Sequence, residues 1–200
     1  RQSATRQKPR YALTAWRSKA RSANENRPEL HEQVTTMESQ LRNQLVRFIN
    51  GRVCLLGIGN RYHHDDAVGP YLAEAIETRP DYDVIDAGII PEDYIELTAR
   101  KHPDTILMID ATDFGGEPGE VRLLYPEHVA YSGVSTHAVS LRMLAEFLQA
   151  RTHARVGLVA VQPADVSDGK GLSPAVSATL DDLLDALPDI CDHKISVLHH

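Results

Sequence analysis

Short apolar runs alternate with helical patterns over residues 53–187, and this alternation limits the possible folds more than any other feature. Four runs have the length and composition of strands buried on both faces: Val53–Leu56, Val84–Ile85, Thr105–Ile109 and Val156–Val161. Helical patterns lie between and after them, at Ala67–Thr78, Asp93–Arg100, Ser140–Ala150 and Ser173–Leu187. Strands alternating with helices indicate a mostly parallel sheet with helices on both faces. We therefore predict one doubly wound α/β domain.

A fifth strand is predicted at Val121–Tyr125, after the Gly-rich turn Gly115–Gly119. It looks like an added edge strand, for which an antiparallel orientation is possible. The last helix has a clear start, because Ser173 suits the N-cap and Pro174 suits the first helical position. The predicted domain covers residues 51–188, and residues 189–200 are expected to form a C-terminal tail.

Two further segments precede this domain. Residues 29–50 carry apolar side chains at steps of three and four, which predicts an amphipathic helix. The helix either lies on the domain surface or pairs with a partner, and about three heptads are too few to favour a coiled coil. Residues 1–28 are rich in Arg, Ser, Ala and Gln, which favours a flexible basic arm over an organelle transit peptide.

Charge is distributed unevenly along the 200 residues, whose net charge is −7. Residues 1–52 contain 11 basic and 4 acidic residues, whereas the remainder contains 10 basic and 24 acidic residues. An acidic body of this kind repels nucleic acid, so we expect no nucleic-acid partner. No apolar run approaches the roughly 20 residues of a membrane span, so no membrane insertion is expected. The two distant cysteines form no CxxC pattern, which favours a cytoplasmic location.

The densest motif is Gly57–Gly69, which follows a strand and opens a helix. That position suits a phosphate site, but a dinucleotide fingerprint needs glycine where this chain has Tyr62. Asp65 and Asp66 stand at the helix start, where carboxylates are favourable but would repel a pyrophosphate. The structural interpretation is a glycine turn with acidic capping, and nucleotide binding is the weaker alternative.

Two further residues are candidates for the same edge of the sheet. Asp110 ends the third strand, and ligands bind open α/β sheets at the carboxyl ends of their strands. His137 is expected in a loop just ahead of the next helix. Taken singly, Asp110 could cap a turn and His137 could be an ordinary exposed histidine. If they converge with Asp66, the three form a nitrogen and oxygen set that suits nickel or zinc.

Six motifs in order resemble the nickel–iron hydrogenase maturation endopeptidases. They are Gly57-x-Gly-Asn-x₄-Asp-Asp66-Ala-Val-Gly, Asp86-Ala-Gly, Ile109-Asp110-Ala-Thr-Asp-x-Gly, Pro118-Gly-Glu-Val-Arg, Ser135-Thr-His137 and Gln162-Pro. The resemblance runs from about Val53 to Leu187 and is most similar to the branch serving formate-hydrogenlyase-type hydrogenases. It implies a five-stranded sheet flanked by helices. His63 and His64 are not part of the pattern, and we expect them to be exposed loop histidines, although added metal affinity is the alternative.

The resemblance also implies a reaction. Such enzymes remove a short C-terminal peptide from the hydrogenase large-subunit precursor after nickel insertion. Asp66, Asp110 and His137 match the family's three metal-ligand positions, and Asp86 matches a further acid near the substrate cleft. Nickel is then recognised in the substrate, and no organic cofactor is expected. The family is grouped with aspartic-type peptidases, so Asp66 and Asp110 are the catalytic candidates; either a carboxylate activates water or nickel polarises the scissile carbonyl.

Two other functions remain compatible with the residues. A nickel carrier or maturation chaperone could use the same three ligands without cleaving anything. A small-molecule hydrolase or phosphorylase could use a similar α/β scaffold. Release of a peptide from the precursor separates the endopeptidase from both alternatives.

Overall fold

The structure, a computed structural model, describes the backbone of residues 31–126 and 136–198 and the side chains of residues 39–126 and 141–192. The chain divides into two compact units, Arg1–Thr36 and Met37–His200. In the first unit only the helical backbone from His31 onward is described, so the predicted arm at residues 1–28 lies outside the described residues. The second unit contains the α/β domain.

Five helices and five strands make up the described secondary structure. The helices are α1 (His31–Phe48), α2 (Val68–Ala75), α3 (Ile95–Ala99), α4 (Thr136–Thr152) and α5 (Pro174–Leu198). The strands are β1 (Val53–Ile58), β2 (Tyr82–Gly88), β3 (Thr105–Ala111), β4 (Val121–Leu124) and β5 (Arg155–Val161). Short 3₁₀ turns at His64–Ala67 and Pro91–Tyr94 precede α2 and α3. The described residues contain no helix long and apolar enough to cross a bilayer.

The strands form one mixed sheet in the order β2-β1-β3-β5-β4. The first four are parallel, and β4 pairs antiparallel with β5 at the edge. The predicted five-stranded, mostly parallel sheet is therefore confirmed, including the antiparallel orientation that was possible for the edge strand. Because β1, β2, β3 and β5 run in one direction, their carboxyl ends meet at the same edge.

Helices cover both faces of the sheet. One face packs Leu56, Met108 and Leu158 against Leu144 and Leu148 of α4. On the other face, α2 approaches β1 so closely that a Cβ on Gly57 would overlap the Gly69 carbonyl oxygen. This arrangement explains why β1, β3 and β5 read as continuous apolar runs, since both faces of each central strand are buried.

The end of α1 belongs to the core of the second unit. Leu45, Phe48 and Ile49 are buried, and the Asn50 backbone exchanges two hydrogen bonds with the Thr105 hydroxyl. Phe48 also packs into the space left by Gly157 on β5. The expectation of a helix lying on the domain is thus met by its last turns, and the packed unit starts before residue 51.

Several boundaries differ from the sequence prediction. Strand β2 spans Tyr82–Gly88 rather than Val84–Ile85, because an edge strand carries polar residues that interrupt its apolar pattern. The helix predicted at Asp93–Arg100 is a 3₁₀ turn followed by the five residues of α3. The end predicted at Leu187 is also wrong, because α5 continues through Pro188 to Leu198.

Burial explains why α5 passes its internal proline. Pro188 removes one helical hydrogen bond, but Ile190 and Cys191 in the following turn are buried. Residues 189–198 are consequently helical rather than an irregular tail. The helix begins as predicted, since the Val176 backbone N–H donates to the Ser173 hydroxyl.

Candidate active site at the carboxyl edge of the sheet

Two glycines bring the segment after β1 against the end of β3. Gly69, in the first turn of α2, lies against the carbonyl oxygens of Ile58 and Ile109, and a Cβ would overlap both. Gly59 has a φ of +132°, and a Cβ there would overlap the Asp66 carbonyl oxygen. The motif that resembles a nucleotide loop therefore serves close backbone packing. Its effect is to hold Asp66 beside the strand end that carries Asp110.

Asp66 and Asp110 form the centre of the site. Asp66 is half-buried, and its Oδ2 accepts a hydrogen bond of 2.9 Å from the Asn60 backbone N–H. Asp110 is 7% exposed, and its Oδ2 accepts a hydrogen bond of 2.8 Å from the Thr112 hydroxyl. Asp66 lies near enough to Asp110 for its charge to act on that carboxyl.

Burial has a large effect on Asp110. Removal from water raises the pKa of Asp110 to about 7, the Thr112 hydroxyl opposes this rise, and the nearby Asp66 carboxylate adds to it. Asp110 thus holds a proton at pH values where an ordinary aspartate is ionised. A carboxyl with a pKa near neutrality, next to a second carboxylate, is suited to proton transfer.

Asp65 has a different role from its neighbour, which the sequence did not reveal. It is fully buried and accepts hydrogen bonds from three backbone N–H groups, those of Ala164, Asp165 and Ser173. These bonds tie the segment after β5 to the segment after β1. The two adjacent acids therefore differ in role, because Asp65 fixes the loop after β5 whereas Asp66 lies near Asp110.

The two histidines before these acids also bind the loop after β5. His63 Nε2 lies 3.2 Å from Asp168 Oδ1, and His64 Nδ1 lies 3.1 Å from the Gly171 carbonyl oxygen. His64 adopts a φ of +39° to reach this position. Both histidines are only partly exposed, against the expectation of exposed loop histidines, because they contact the loop after β5.

His137 lies elsewhere in the secondary structure than predicted. It is the second residue of α4 rather than part of a loop, because this helix begins at Thr136 instead of Ser140. Its side chain lies outside the described residues, so its role as the third ligand stays a prediction. Among the side chains that the structure describes, no three His, Cys, Asp or Glu residues form a metal-binding group.

Asp86 lies at the end of the neighbouring strand β2, where it pairs with Arg61. The Arg61 guanidinium lies 2.7 Å from Asp86 Oδ2 and 2.6 Å from Glu74 Oε2, and it donates to the Pro70 carbonyl oxygen. This network joins β2 to the segment after β1 and to α2. Arg61 is a further residue of the site region that the sequence analysis did not single out.

The structure gives a role to Gln162, whose motif Gln162-Pro had no role assigned from the sequence. Its Oε1 accepts from the backbone N–H groups of Phe114 and Gly116, and its Nε2 donates to Asp113 Oδ1. The side chain thereby shapes the loop that leaves β3 directly after the Asp110 strand end.

Comparison with known proteins assigns the family. The family model described as hydrogenase maturation protease (HycI) matches residues 67–190, well over half of the chain. The chain belongs to the hydrogenase maturation protease family. The matched range contains Asp110 and His137, and Asp66 lies immediately before it.

Individual relatives agree with this family. The hydrogenase 3 maturation protease of Escherichia coli (strain K12) is 38% identical over 98 residues, which are 48% of this chain and 63% of that protein. The match to this relative therefore spans less than two thirds of its length. The crystal structure of the NiFe hydrogenase maturation protease HycI from Thermococcus kodakarensis KOD1 has a TM-score of 0.68 and 29% identity, covering 74% of this chain and 99% of that one. A crystal structure of a hydrogenase 3 maturation protease has a TM-score of 0.60 and 29% identity over 68% and 88% of the chains.

The residues of the candidate site indicate what chemistry this member of the hydrogenase maturation protease family can carry out. Two converging carboxylates offer oxygen ligands to a cation and can exchange a proton with water or with a peptide group. The site lies at the carboxyl edge of the sheet, which is where ligands bind open α/β sheets.

Proposed function

We propose that this protein is a processing endopeptidase that removes a C-terminal peptide from the nickel-loaded large-subunit precursor of a nickel–iron hydrogenase. The observation that carries the proposal is the buried Asp110, with Asp66 near enough to raise its pKa, in a chain of the hydrogenase maturation protease family. The similarity to a hydrogenase 3 maturation protease supports the choice of substrate class.

In the proposed mechanism the nickel arrives as part of the substrate. Asp66, Asp110 and His137 would contact nickel that the precursor already holds, and so place the scissile peptide beside the two carboxylates. Nickel takes oxygen and imidazole ligands, so this donor set is chemically suitable. Contact with nickel would displace the proton of Asp110, because a carboxylate must be ionised to bind a metal. No organic cofactor enters this scheme.

The hydrolysis itself needs a group that accepts a proton from water. We assign this role to the carboxylate pair, which would make the enzyme an aspartic-type peptidase in the broad sense. Polarisation of the scissile carbonyl by nickel would act in the same step, since both effects favour attack by water. The two free, buried cysteines are consistent with the cytoplasm as the proposed location.

The proposal is tested by mixing the full chain with nickel-loaded precursor and following the C-terminal peptide by mass spectrometry. We expect release of one peptide by the parent, and a loss on the order of 10²–10⁴-fold in Asp66→Asn and His137→Ala. Asp189→Asn, a change at an exposed aspartate on α5, is the matched control and should cleave at the parent rate.

Each alternative function predicts a different result. A nickel carrier would bind the precursor and release no peptide from it. A small-molecule hydrolase would cleave aminopeptidase or nucleoside substrates and leave the precursor intact. Cleavage of the precursor at the parent rate by Asp66→Asn would show that the assigned residue is wrong even if the activity is right.

A further inference from the structure

Four large apolar side chains are exposed on the loops that surround the candidate site. Tyr62 follows β1, Ile89 and Ile90 follow β2, and Val166 follows β5; their exposed fractions lie between 49% and 67%. We call these four residues the apolar rim. Single exposed apolar residues are common, but several on adjoining loops beside a polar site indicate an interaction surface.

Sheet order and hydrogen bonds place the rim around the carboxylates. The Gly59 N–H donates to the Gly88 carbonyl oxygen at 3.0 Å, which joins the β1 loop to the residue before Ile89. The Gly169 N–H donates to the Tyr62 carbonyl oxygen at 2.7 Å, which joins the β1 loop to the β5 loop. Strands β1 and β3, which lead to Asp66 and Asp110, lie between β2 and β5 in the sheet. The rim therefore borders the site on two sides.

The same loops are strongly acidic. Six exposed carboxylates follow β2, β3 and β5: Glu92, Asp93, Asp113, Glu117, Asp165 and Asp168. The basic Lys and Arg side chains on these loops and on the β1 loop are Arg61 and Lys170. Arg61 is already bound to Asp86 and Glu74, so it adds little positive charge to the surface. Lys170 lies over the Tyr62 ring, with its Nζ 5.2 Å from the ring centroid, so one exposed cation beside the rim stands against six exposed carboxylates.

We infer that the apolar rim is the docking surface for the stretch of precursor next to the cleavage point, and that this stretch carries both apolar and basic side chains. The inference rests on the proposed function, and it adds the chemistry by which the substrate is recognised. Apolar contacts supply affinity, while the acidic loops steer a basic segment toward the site. A second copy of this chain is a poor occupant, because two acidic faces repel each other.

The experiment measures kcat and KM for nickel-loaded precursor with two variants of the loop after β2, which we call the rim variants because both change residues at or beside the rim. Ile89→Ser/Ile90→Ser removes apolar contact and should lower kcat/KM about tenfold, through KM, with kcat at saturation unchanged. Glu92→Gln/Asp93→Asn removes charge from the same turn and should lower kcat/KM about threefold at low salt. This second loss should disappear at high salt, because salt screens exposed charges.

Matched controls are available on the helices. Met143→Ser/Phe147→Ser removes two apolar side chains of similar exposure, 51% and 58%, from α4. Asp185→Asn/Asp189→Asn removes two exposed charges from α5. Both controls should keep the parent kcat/KM, and thermal melts should show that all four variants are folded.

Parent kcat/KM in Ile89→Ser/Ile90→Ser, or an equal loss in the helix controls, would overturn the inference. Failure of the proposed function gives a different result, because the parent then releases no peptide at all. In that case, binding of the parent and variants to immobilised nickel-loaded precursor decides whether the apolar rim is a docking surface. Weaker binding of the rim variants alone supports the docking surface, and equal binding by all of them refutes it.

Discussion

Two buried aspartates at opposite ends of the sheet differ in what surrounds them. Asp83, near the start of β2, is 3% exposed and pairs with Arg52 at 2.6 Å and Lys101 at 2.9 Å. Asp110, near the end of β3, is 7% exposed and has the Thr112 hydroxyl and the carboxylate of Asp66 as neighbours. One buried acid is thus neutralised by cations, and the other faces a second acid.

This difference separates structural from chemical roles. A buried carboxylate with two cationic partners joins the strand to the segments that carry those cations. A buried carboxyl beside another carboxylate is costly to ionise, and a fold that only needed stability would not retain it. We therefore assign stability to the amino edge of the sheet and chemistry to its carboxyl edge.

The largest expected effect on stability comes from removing α1, the helix that packs at the amino edge of the sheet. Deleting residues 1–50 removes Leu45, Phe48 and Ile49 from the core, and each such loss costs about 2–5 kcal/mol, so the shortened chain should not fold. Deleting residues 1–30 leaves this packing in place and should give a folded chain. Circular dichroism and thermal melts compare the two. A cooperative melt of the shorter protein at the parent temperature would refute the structural role of α1.

A smaller effect is expected when Asp83 loses its charge. Asp83→Asn leaves Arg52 and Lys101 without their shared carboxylate, and the free energy of unfolding should fall by about 2–3 kcal/mol. Both cations reach solvent, which keeps the loss below that of a fully buried pair. Urea titration measures stability, and kcat on nickel-loaded precursor should stay at the parent value. Loss of kcat in the folded variant would contradict the division between the two edges.

The opposite change in stability is expected at Asp110. Its pKa, raised to about 7 by burial, means that the folded protein holds a proton that the unfolded chain releases near pH 4. The free energy of unfolding of the parent therefore falls as pH rises from about 4 to about 7. Above about pH 7 the Asp110 carboxyl is ionised in both states and does not change stability further. Asp110→Asn avoids the cost and should be about 1–3 kcal/mol more stable than the parent at pH 8.

Urea titrations at pH 5 and pH 8 test whether ionisation of Asp110 destabilises the folded protein. The advantage of Asp110→Asn should be clearly smaller at pH 5, where the parent carboxyl is mostly protonated in the folded state. Equal stability of the two proteins at pH 8 would show that the buried carboxyl is not strained. Asp113→Asn is a control, because hydrogen bonds from Gly115 and Gln162 lower the pKa of this exposed carboxyl instead.

Sequence patterns predicted the elements whose signals are local. The central strands β1, β3 and β5 each contain a continuous apolar run, and the cap at Ser173 is a short-range signal, so both were recognisable. The edge strand β2 and the short helix α3 lack such signals. Continuation of α5 past Pro188 depends on burial of Ile190 and Cys191, which a local pattern cannot show.

The site was predictable only in part, for a related reason. Asp110 was a candidate because it lies near the end of β3, and Asp66 because it stands at the start of the helix that follows β1. The role of Asp65 depends on backbone N–H groups about 100 residues away, and Gln162 binds a loop nearly 50 residues before it. Residues 65 and 66 are indistinguishable in sequence because each is an aspartate at the same helix start.

The central claim is that the carboxyl edge acts on nickel carried by the substrate. Chelator-treated protein, freed of the chelator, is mixed with precursor that holds nickel and with the same precursor lacking nickel, and the released peptide is followed by mass spectrometry. We predict cleavage of the loaded precursor and little or none of the unloaded one. Equal cleavage of both, or activity that returns only when metal is added to the enzyme, would contradict the account.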